Sequence, residues 1–360
     1  MERPILYLAI TNHGFGHTTR TASIAATIQK LYPEVLLILA TTAPRWLLEC
    51  YIEGDFIYRP RAFDLGVVQK DSLTMDKVAT LEKLLDIKKH QNSLIASEVN
   101  FICQNRVNLI LADIPFLAPG FAQAANIPCW MISNFGWDFI YRSWGGEFTA
   151  IADWISNWYS KCDRLFRLPF DTPMQAFNHI TDVGLTGGSP RYSADDLRSI
   201  WGITAPVEKT ILLTFGGLGL QQIPYHNLRQ FPHWQFITFD QSAPDLPNLV
   251  KISDRKYRPV DFMPICQRVM SKPGYSTFAE ATLLGLPIVT MPREDFAEAT
   301  FLIEGITNYN QHQIITPSEF FEGSWDFLHE LPQLPKQSEL IAKDGNEAIA
   351  KAVLNYLDTK

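Results

Sequence analysis

The sequence lacks the features that mark membrane-spanning, disulfide-stabilised and nucleic-acid-binding proteins. No run of about 18 consecutive apolar residues occurs, which argues against a transmembrane helix. The five cysteines are scattered and odd in number, a pattern that fits reduced thiols better than a disulfide framework or a zinc site. The formal net charge of −7 argues against non-specific binding to nucleic acid.

A secretory signal is also missing from the start of the sequence. Residues 1–4 lead directly into strand-like sequence, without the basic, apolar and small-residue order of a signal peptide. We therefore expect a cytoplasmic protein that makes at most peripheral contact with a membrane.

Short apolar runs alternate with longer mixed segments along the whole chain. This alternation is typical of βαβ units and of parallel sheets covered by helices on both faces. Strands are predicted at 5–10, 35–40, 109–112, 129–133, 165–168, 210–214, 235–238, 249–252, 269–271 and 288–290. Helices are predicted at 18–31, 43–53, 75–105, 115–126, 221–230, 276–285, 296–306, 316–322 and 337–358, and in two aromatic-rich stretches between 137 and 160.

The length of 360 residues exceeds what one core usually supports, so two domains are expected. Glycines and a proline cluster at 184–190 and are followed by a helix-start signal at 193–196. We predict an N-terminal domain at 1–186 and a second domain at 187–336. The segment 337–360 is predicted to form a helix that packs back on the first domain.

The first predicted strand ends in a glycine-rich loop, NHGFGH at 12–17, that leads into a helix. Open parallel sheets bind ligands at the carboxyl ends of their strands, and glycines let the backbone turn tightly there. The loop lacks the third glycine and the downstream acid of a dinucleotide fingerprint. His17 is either a base in the first helical turn or a loop histidine with a structural hydrogen bond.

Two more predicted strands end in polar or aromatic residues at the same sheet edge. A carboxylate at Asp113 would fix the tautomer of an imidazole and make it a better base. The alternative for Asp113 is an N-cap on the following helix. Residues 134–139, NFGWDF, follow the next strand, and their Trp137 and Phe139 either stack on a ligand or pack in the core.

In the second half, glycines follow the strand predicted at 210–214. A turn through Gly216 and Gly217 exposes backbone N–H groups and suits a phosphate, although a tight turn without a ligand uses the same residues.

The most specific motif is KPGYSTFAE at 272–280, which places a lysine and two hydroxyl residues at a helix start. Free N–H groups at a helix N-terminus beside a lysine make an anion site. The alternative is a capping box between Ser276 or Thr277 and Glu280.

In this order, the motifs resemble those of GT-B glycosyltransferases, among them the GlcNAc transferase that forms lipid II and the family 1 UDP-sugar-dependent enzymes. The resemblance covers nearly the whole chain, including the linker TGGSPR at 186–191. It implies an α/β fold of two Rossmann-like domains that face a cleft. The stretches HGFGHTTR, NFGWDFIY, CDRLFRLPFDTPM and KPGYSTFAEA also resemble the N-terminal, non-kinase region of L-arabinokinases.

The resemblance implies metal-independent, inverting transfer of a hexosyl or N-acetylhexosaminyl group from a nucleotide diphosphosugar, by default a UDP-sugar, to an acceptor hydroxyl. The acceptor is open between a saccharide, a lipid and a small molecule, and no resident cofactor or metal is implied. His17 is then the general base and Asp113 its orienter. The residues implied in donor binding are Gly16, Arg191, Gly216, Gly217, Lys272, Gly274, Ser276, Thr277, Glu280 and Asp295. The residues implied in acceptor binding are His13, Phe15, Asn134, Trp137 and Asp138.

Within the donor set, the resemblance gives three residues separate tasks. Arg191 closes over the diphosphate from the linker, Glu280 holds the ribose hydroxyls, and Asp295 stands, with Glu298, where the family contacts the donor sugar.

Two other functions fit the same fold. A UDP-sugar 2-epimerase would need several acidic residues around the sugar and would turn over donor without an acceptor. A non-catalytic module would bind the nucleotide sugar without turnover. A dinucleotide-dependent dehydrogenase is disfavoured by the incomplete fingerprint.

Overall fold

The computed structural model describes residues 3–69, 75–215 and 223–359. Its strands are β1 (Ile5–Ile10), β2 (Leu36–Ala40), β3 (Phe56–Arg59), β4 (Leu109–Asp113), β5 (Cys129–Ser133), β6 (Arg164–Arg167), β7 (Ile180–Asp182), β8 (Thr210–Leu213), β9 (Gln235–Thr238), β10 (Leu249–Lys251), β11 (Arg268–Met270), β12 (Ile288–Thr290) and β13 (His312–Ile314). They form two parallel sheets, which confirms the predicted pair of Rossmann-like domains.

Helices connect the strands and cover the sheets. They are α1 (Gly16–Leu31), α2 (Arg45–Glu49), α3 (Lys77–Gln104), α4 (Ala118–Ala125), α5 (Trp137–Trp144), α6 (Phe148–Tyr159), α7 (Ala194–Trp201), α8 (Pro259–Phe262), α9 (Tyr275–Leu284), α10 (Glu298–Tyr309), α11 (Pro317–Phe321) and α12 (Gly345–Leu357). Short 3₁₀ turns lie at Val207–Lys209, Tyr225–Gln230, Met263–Ile265 and Asp326–His329. The helix predicted at 221–230 is therefore a 3₁₀ turn where the chain is described.

The strand order of each sheet places a crevice beside its first strand. The first sheet runs β3-β2-β1-β4-β5-β6-β7, and the second runs β10-β9-β8-β11-β12-β13. The order reverses at β1 and β4 in the first sheet and at β8 and β11 in the second. Ligands of open parallel sheets bind outside the carboxyl ends of strands at such switch points.

One apolar core cluster runs from the first domain into the second, from Leu8 on β1 to Phe278 on α9. The final helix joins this core, because Ile349, Ala350 and Val353 are fully buried in it. The ring of Tyr356 lies edge-on to Trp130 of β5, at 5.3 Å between centroids. The chain therefore ends with a helix on the first domain, as predicted.

The helix predicted at 337–358 begins later than expected, at Gly345. The residues before it form an irregular strap in which the Ala342 carbonyl accepts a hydrogen bond from the Leu185 N–H at 2.8 Å. This bond ties the strap to the linker between the domains. Of the described helices, none is long and apolar enough to cross a membrane.

Candidate active site

A cavity of about 130 Å³ lies between the two domains, at the carboxyl ends of β1 and β11. The loop after β1 forms one wall and the loop after β11 forms the other. The lining residues are His13, Gly14, Phe15, Gly16, His17, Arg20, Gln69, Phe135, Ser271, Lys272, Pro273, Gly274, Tyr275, Ser276, Thr277, Arg293, Phe296 and Glu298.

His17 and Asp113 are in direct contact on the first-domain wall. Nδ1 of His17 lies 2.6 Å from Oδ1 of Asp113, and both side chains are buried. Asp113 ends β4 and makes no N-cap, because α4 begins at Ala118 after a Leu117 cap. The geometry is that of an imidazole whose tautomer is fixed by a carboxylate.

A third side chain, Arg20, completes this arrangement one helical turn after His17. Its Nε and Nη2 donate to Oδ2 and Oδ1 of Asp113, each at 2.6 Å. Thr21 Oγ1 also donates to Oδ2, at 2.8 Å. The carboxylate thus has four polar contacts from three side chains and is held at both oxygens.

The charges in this cluster set the protonation states. Burial lowers the pKa of His17, and the Arg20 charge lowers it further, while Asp113 acts in the opposite direction. Burial alone would raise the pKa of Asp113, but Arg20 and His17 outweigh it and hold that pKa well below its usual range. At neutral pH the cluster therefore contains an ionised carboxylate and a neutral imidazole, the form that accepts a proton.

Two helix N-termini point into the cavity from opposite domains. α1 begins at Gly16 and α9 begins at Tyr275, and neither has a side-chain cap or an acidic residue in its first turn. The first backbone N–H groups of a helix have no partner within the helix and carry its positive dipole end. The cavity is therefore lined by donors suited to an anion.

Basic side chains strengthen this character on the second-domain wall. Lys272 lies just before α9, and Arg293 lies after β12 with its guanidinium 4.7 Å from the centroid of the Phe296 ring. Ser276 also lines the wall, but its hydroxyl donates to the Gly16 carbonyl at 2.7 Å and so joins the two domains. The capping box that the sequence allowed at this helix does not form.

Glu298 brings the second domain into contact with the buried cluster. Its Oε1 accepts a hydrogen bond from Nδ2 of Asn134 at 2.7 Å, and Oδ1 of Asn134 accepts one from Arg20 Nη1 at 2.8 Å. Burial raises the pKa of Glu298, against the effect of Asn134. Asn134, predicted in acceptor binding, therefore bridges the two walls and does not line the cavity.

Aromatic rings close the rest of the first-domain side. His13 stacks on Phe296 at 5.8 Å between centroids and 13° between planes, and Phe15 also lines the cavity. Trp137 is fully buried, and its indole N–H donates to Thr11. Core packing, the alternative left open for Trp137, is thus what the structure shows.

Glu280 lies away from the cavity lining, under the linker. Its Oε1 accepts the Gly188 N–H at 2.9 Å. A Cβ on Gly187 would lie 2.7 Å from Cγ of Glu280, so only glycine allows the linker to pass this close. Burial raises the pKa of Glu280 to about 7. In this conformation the carboxylate holds the linker, and the predicted role in ribose binding remains a prediction.

Three other predicted residues lie outside the cavity. Arg191 pairs with Asp261 at 3.3 Å. Asp295 pairs with Lys77 across the domain interface at 2.7 Å. Asp138 accepts a hydrogen bond from Ser156 at 3.0 Å, and burial raises its pKa.

Gly216 and Gly217 lie outside the described residues. The cavity does bring together the predicted residues His13, Phe15, Gly16, His17, Lys272, Gly274, Ser276 and Thr277. Sequence reasoning missed Arg20, Gln69, Phe135, Tyr275 and Phe296, and it gave Arg293 no role. The spacing of three between His17 and Arg20, which puts both on one helix face, was the available signal for Arg20. Within the described ranges, no group of three or more His, Cys, Asp or Glu side chains is placed to hold a metal ion.

Comparisons with known proteins agree with this architecture. No protein-family model matches the sequence. The chain is 29% identical to the L-arabinokinase of Arabidopsis thaliana over 327 residues, which are 88% of this chain. It spans only 31% of the length of that relative.

Several solved structures share the fold over nearly all of both chains. The calicheamicin glycosyltransferase CalG4 has a TM-score of 0.61 at 16% identity, covering 99% of each chain. The glycosyltransferase of kitacinnamycin has a TM-score of 0.63 at 15% identity, covering 99% of this chain and 100% of its own. UGT2 of Phytolacca americana, solved with UDP-2-fluoroglucose and pterostilbene, has a TM-score of 0.63 at 13% identity, covering 99% and 94%. The chain therefore has the fold of the GT-B glycosyltransferases.

Proposed function

We propose that the protein is a metal-independent, inverting glycosyltransferase that uses a nucleotide diphosphosugar, with a UDP-sugar as the favoured donor. One observation carries this proposal: an imidazole held by a carboxylate faces, across one cavity, an uncapped helix N-terminus and a lysine. The first wall suits a general base and the second suits a diphosphate.

In the proposed step, Nε2 of His17 takes the proton of the acceptor hydroxyl while the oxygen attacks the anomeric carbon. The bond from that carbon to the diphosphate oxygen breaks, and the diphosphate leaves with the electron pair. Asp113 stabilises the imidazolium that forms. Attack from the face opposite the leaving group inverts the anomeric centre.

Negative charge grows on the leaving diphosphate during this step. We propose that the N-terminus of α9 and the ammonium of Lys272, which both line the cavity, stabilise that charge. Removing one such preorganised donor typically lowers the rate about 10²–10³-fold.

The donor requires a wider cavity than the one observed. Ligand pockets usually measure about 300–1,000 Å³, and this cavity measures about 130 Å³. Entry therefore requires the domains to part at the contact between Ser276 and Gly16, which would also free the Ser276 hydroxyl for a phosphate.

The resemblance to solved transferases supports the donor class. UGT2 of Phytolacca americana was solved with a UDP-sugar analogue and a phenolic compound, pterostilbene. We propose the same donor class for this chain. The acceptor stays open between a saccharide, a lipid and a small molecule.

The test is a thermal-shift screen with UDP, GDP, dTDP and their sugars, followed by an assay of nucleoside diphosphate release with a panel of acceptors. A ligand at 100 times its Kd adds about 2.7 kcal/mol of stability. We expect acceptor-dependent release by the wild type. His17→Ala should retain the thermal shift and lose release by about 10²–10⁴-fold.

Other outcomes would replace the proposal. Conversion of the donor to an epimer without any acceptor would indicate a 2-epimerase. A thermal shift with no turnover on any acceptor would indicate a binding module. Release that His17→Ala leaves unchanged would reject His17 as the base.

A further inference from the structure

Arg20 is the most heavily engaged side chain of the buried cluster. It is 2% exposed. Its guanidinium donates to both oxygens of Asp113, to Oδ1 of Asn134, and to Oγ of Ser133 at 3.2 Å. On its other face, it lies 5.2 Å from the ring centroid of Tyr275, which belongs to the second domain.

Asp113, which Arg20 holds in place, sets the position of the hydrogen on His17. Nη2 of Arg20 lies 2.9 Å from Nδ1 of His17, and Oδ1 of Asp113 lies 2.6 Å from the same nitrogen. An arginine only donates, so with a hydrogen on Nδ1 this contact is not a hydrogen bond, and Nη2 donates to Asp113 and Ser133 instead. If Nδ1 lacked a hydrogen, its lone pair would face the anionic oxygen at 2.6 Å, which is repulsive. The hydrogen therefore sits on Nδ1 and points to Asp113, and the lone pair sits on Nε2.

We propose that Arg20 is a positioning residue that locks the Asp113 carboxylate against Nδ1 of His17 and limits the positive charge that the imidazole accumulates. The inference deepens the proposed transferase function and rests on it for its kinetic consequence. Its structural part, the tautomer and titration of His17, is independent of any reaction.

Geometry supports the locking role. A planar guanidinium reaches both carboxylate oxygens and Asn134 at once, which a lysine ammonium cannot do. Asp113 is consequently unable to rotate without breaking two charge-assisted hydrogen bonds. Thr21, the remaining partner of Asp113, contributes one neutral donor.

Charge supports the second role. The ionised Asp113 is already paired with Arg20, so less of its negative potential is left for an imidazolium. The other charged or titratable groups around the site are His13, Asp64, Lys272, Tyr275, Arg293 and Glu298. Burial raises the pKa of Tyr275, so its hydroxyl stays neutral. The two carboxyl groups bond elsewhere and not to His17, Asp64 to the Asn12 N–H and Glu298 to Asn134. Loss of the Arg20 charge should therefore make His17 hold a proton to higher pH.

The first test is an NMR titration of the His17 ring in the wild type, Arg20→Gln, Arg20→Lys and the control Thr21→Val. We expect the wild-type ring to carry its hydrogen on Nδ1. Arg20→Gln should raise the titration midpoint by about one unit or more, as expected when a nearby like charge is removed. Arg20→Lys and Thr21→Val should move it much less.

The second test is steady-state kinetics on the same variants. Arg20→Lys should lower kcat by about tenfold or more with little change in the donor KM, because the base is misplaced while the anion site is intact. Thr27→Val is the kinetic control, because its hydroxyl bonds the Ser23 carbonyl further along α1, and its kcat should stay near that of the wild type.

Three results would overturn the proposal. They are a wild-type hydrogen on Nε2, a His17 titration that Arg20→Gln does not move, and a wild-type kcat in Arg20→Lys. The wild-type spectrum needs no variant to fold, so the tautomer is testable even if the variants fail. Absence of any transferase activity would reject the proposed function and leave both NMR outcomes decisive for Arg20.

Discussion

The two walls of the cavity are built on opposite principles. On the first-domain wall, His17, Asp113 and Arg20 are buried and satisfy one another's hydrogen bonds. On the second-domain wall, α9 presents an N-terminus without a side-chain cap, beside Lys272. The first wall is complete without a ligand, whereas the second presents donors that a ligand can use. Chemistry is therefore expected from one domain and binding from the other.

This contrast predicts which measurement each variant changes. Variants of the first wall should alter turnover and stability together, because buried charges compensate one another. Variants of the second wall should alter donor affinity with little effect on stability.

The largest effect is expected for Asp113→Asn. Turnover should fall by about 10²–10⁴-fold as the base loses its orienting charge. Unfolding should become easier by about 3–5 kcal/mol, because Arg20 is left as an uncompensated buried charge. Kinetics and denaturant titration measure the two effects.

The matched control for Asp113→Asn is Glu98→Gln. Glu98 is also buried in the first domain and bonds Arg59 through both oxygens, at 2.7 and 2.8 Å, but it lies outside the cavity. The Glu98→Gln variant should lose stability and keep its turnover. Equal loss of turnover in both variants would mean that general destabilisation, and not the base, explains the result.

The second-largest effect is expected for Lys272→Met. Loss of one charge-assisted contact to the diphosphate should weaken donor binding by about 10–100-fold, which is about 1.4–2.8 kcal/mol. Calorimetric titration with the best nucleoside diphosphate measures it. Lys30→Met, at the opposite end of α1, serves as the control. Unchanged donor affinity in Lys272→Met would show that the second-domain wall is not part of the donor-binding site.

A third effect, similar in size to that of Lys272→Met, is expected on the pH dependence of stability, through the contact between Glu280 and the linker. The pKa of Glu280 is about 7 in the folded protein, against a usual value of 4.5. Between these values the folded chain keeps a proton that the unfolded chain has released, so stability falls as pH rises from 4.5 to 7. The fall attributable to Glu280 is up to about 3 kcal/mol.

Glu280→Gln should remove this pH dependence, since the amide oxygen still accepts the Gly188 N–H. Denaturant titrations at pH 5 and pH 8 measure the change, with the exposed Glu304→Gln as the control. Identical pH dependence in the wild type and Glu280→Gln would show that Glu280 titrates normally.

The smallest effect is expected for the exposed pair that joins the walls at their rim. Lys77 and Asp295 are 2.7 Å apart, with side chains 39% and 60% exposed. Lys77→Met should change stability by less than about 1 kcal/mol, and turnover should stay near wild type. A large loss of turnover would show that the rim takes part in closing the domains.

A contrast between buried strands and edge strands explains which strands the sequence could predict. The strands β1, β2 and β4 are buried on both faces, and their continuous apolar runs were predicted to within one residue at each end. The missed strands β3, β7 and β13 all lie at sheet edges. Edge strands are short and partly exposed, so they lack such runs.

The site follows a similar rule. His17 and the cavity-lining loop at 272–277 were predictable because strand ends and helix starts carry local signals. Arg20 carries only a weak local signal, its spacing of three from His17, because a helical arginine usually indicates a solvated surface and its burial depends on Asp113, 93 residues away. The contacts of Glu280 and Arg191 depend on the path of the linker, which no local pattern specifies.

The proposed function requires that the cavity bind a diphosphate at the start of α9 while His17 faces it. A crystal structure with the nucleoside diphosphate that gives the largest thermal shift tests it most directly. Phosphate oxygens are expected about 3 Å from the backbone N–H groups of Ser276 and Thr277, with Nε2 of His17 turned toward them. A nucleotide bound elsewhere, with the start of α9 still closed against Gly16, would contradict it.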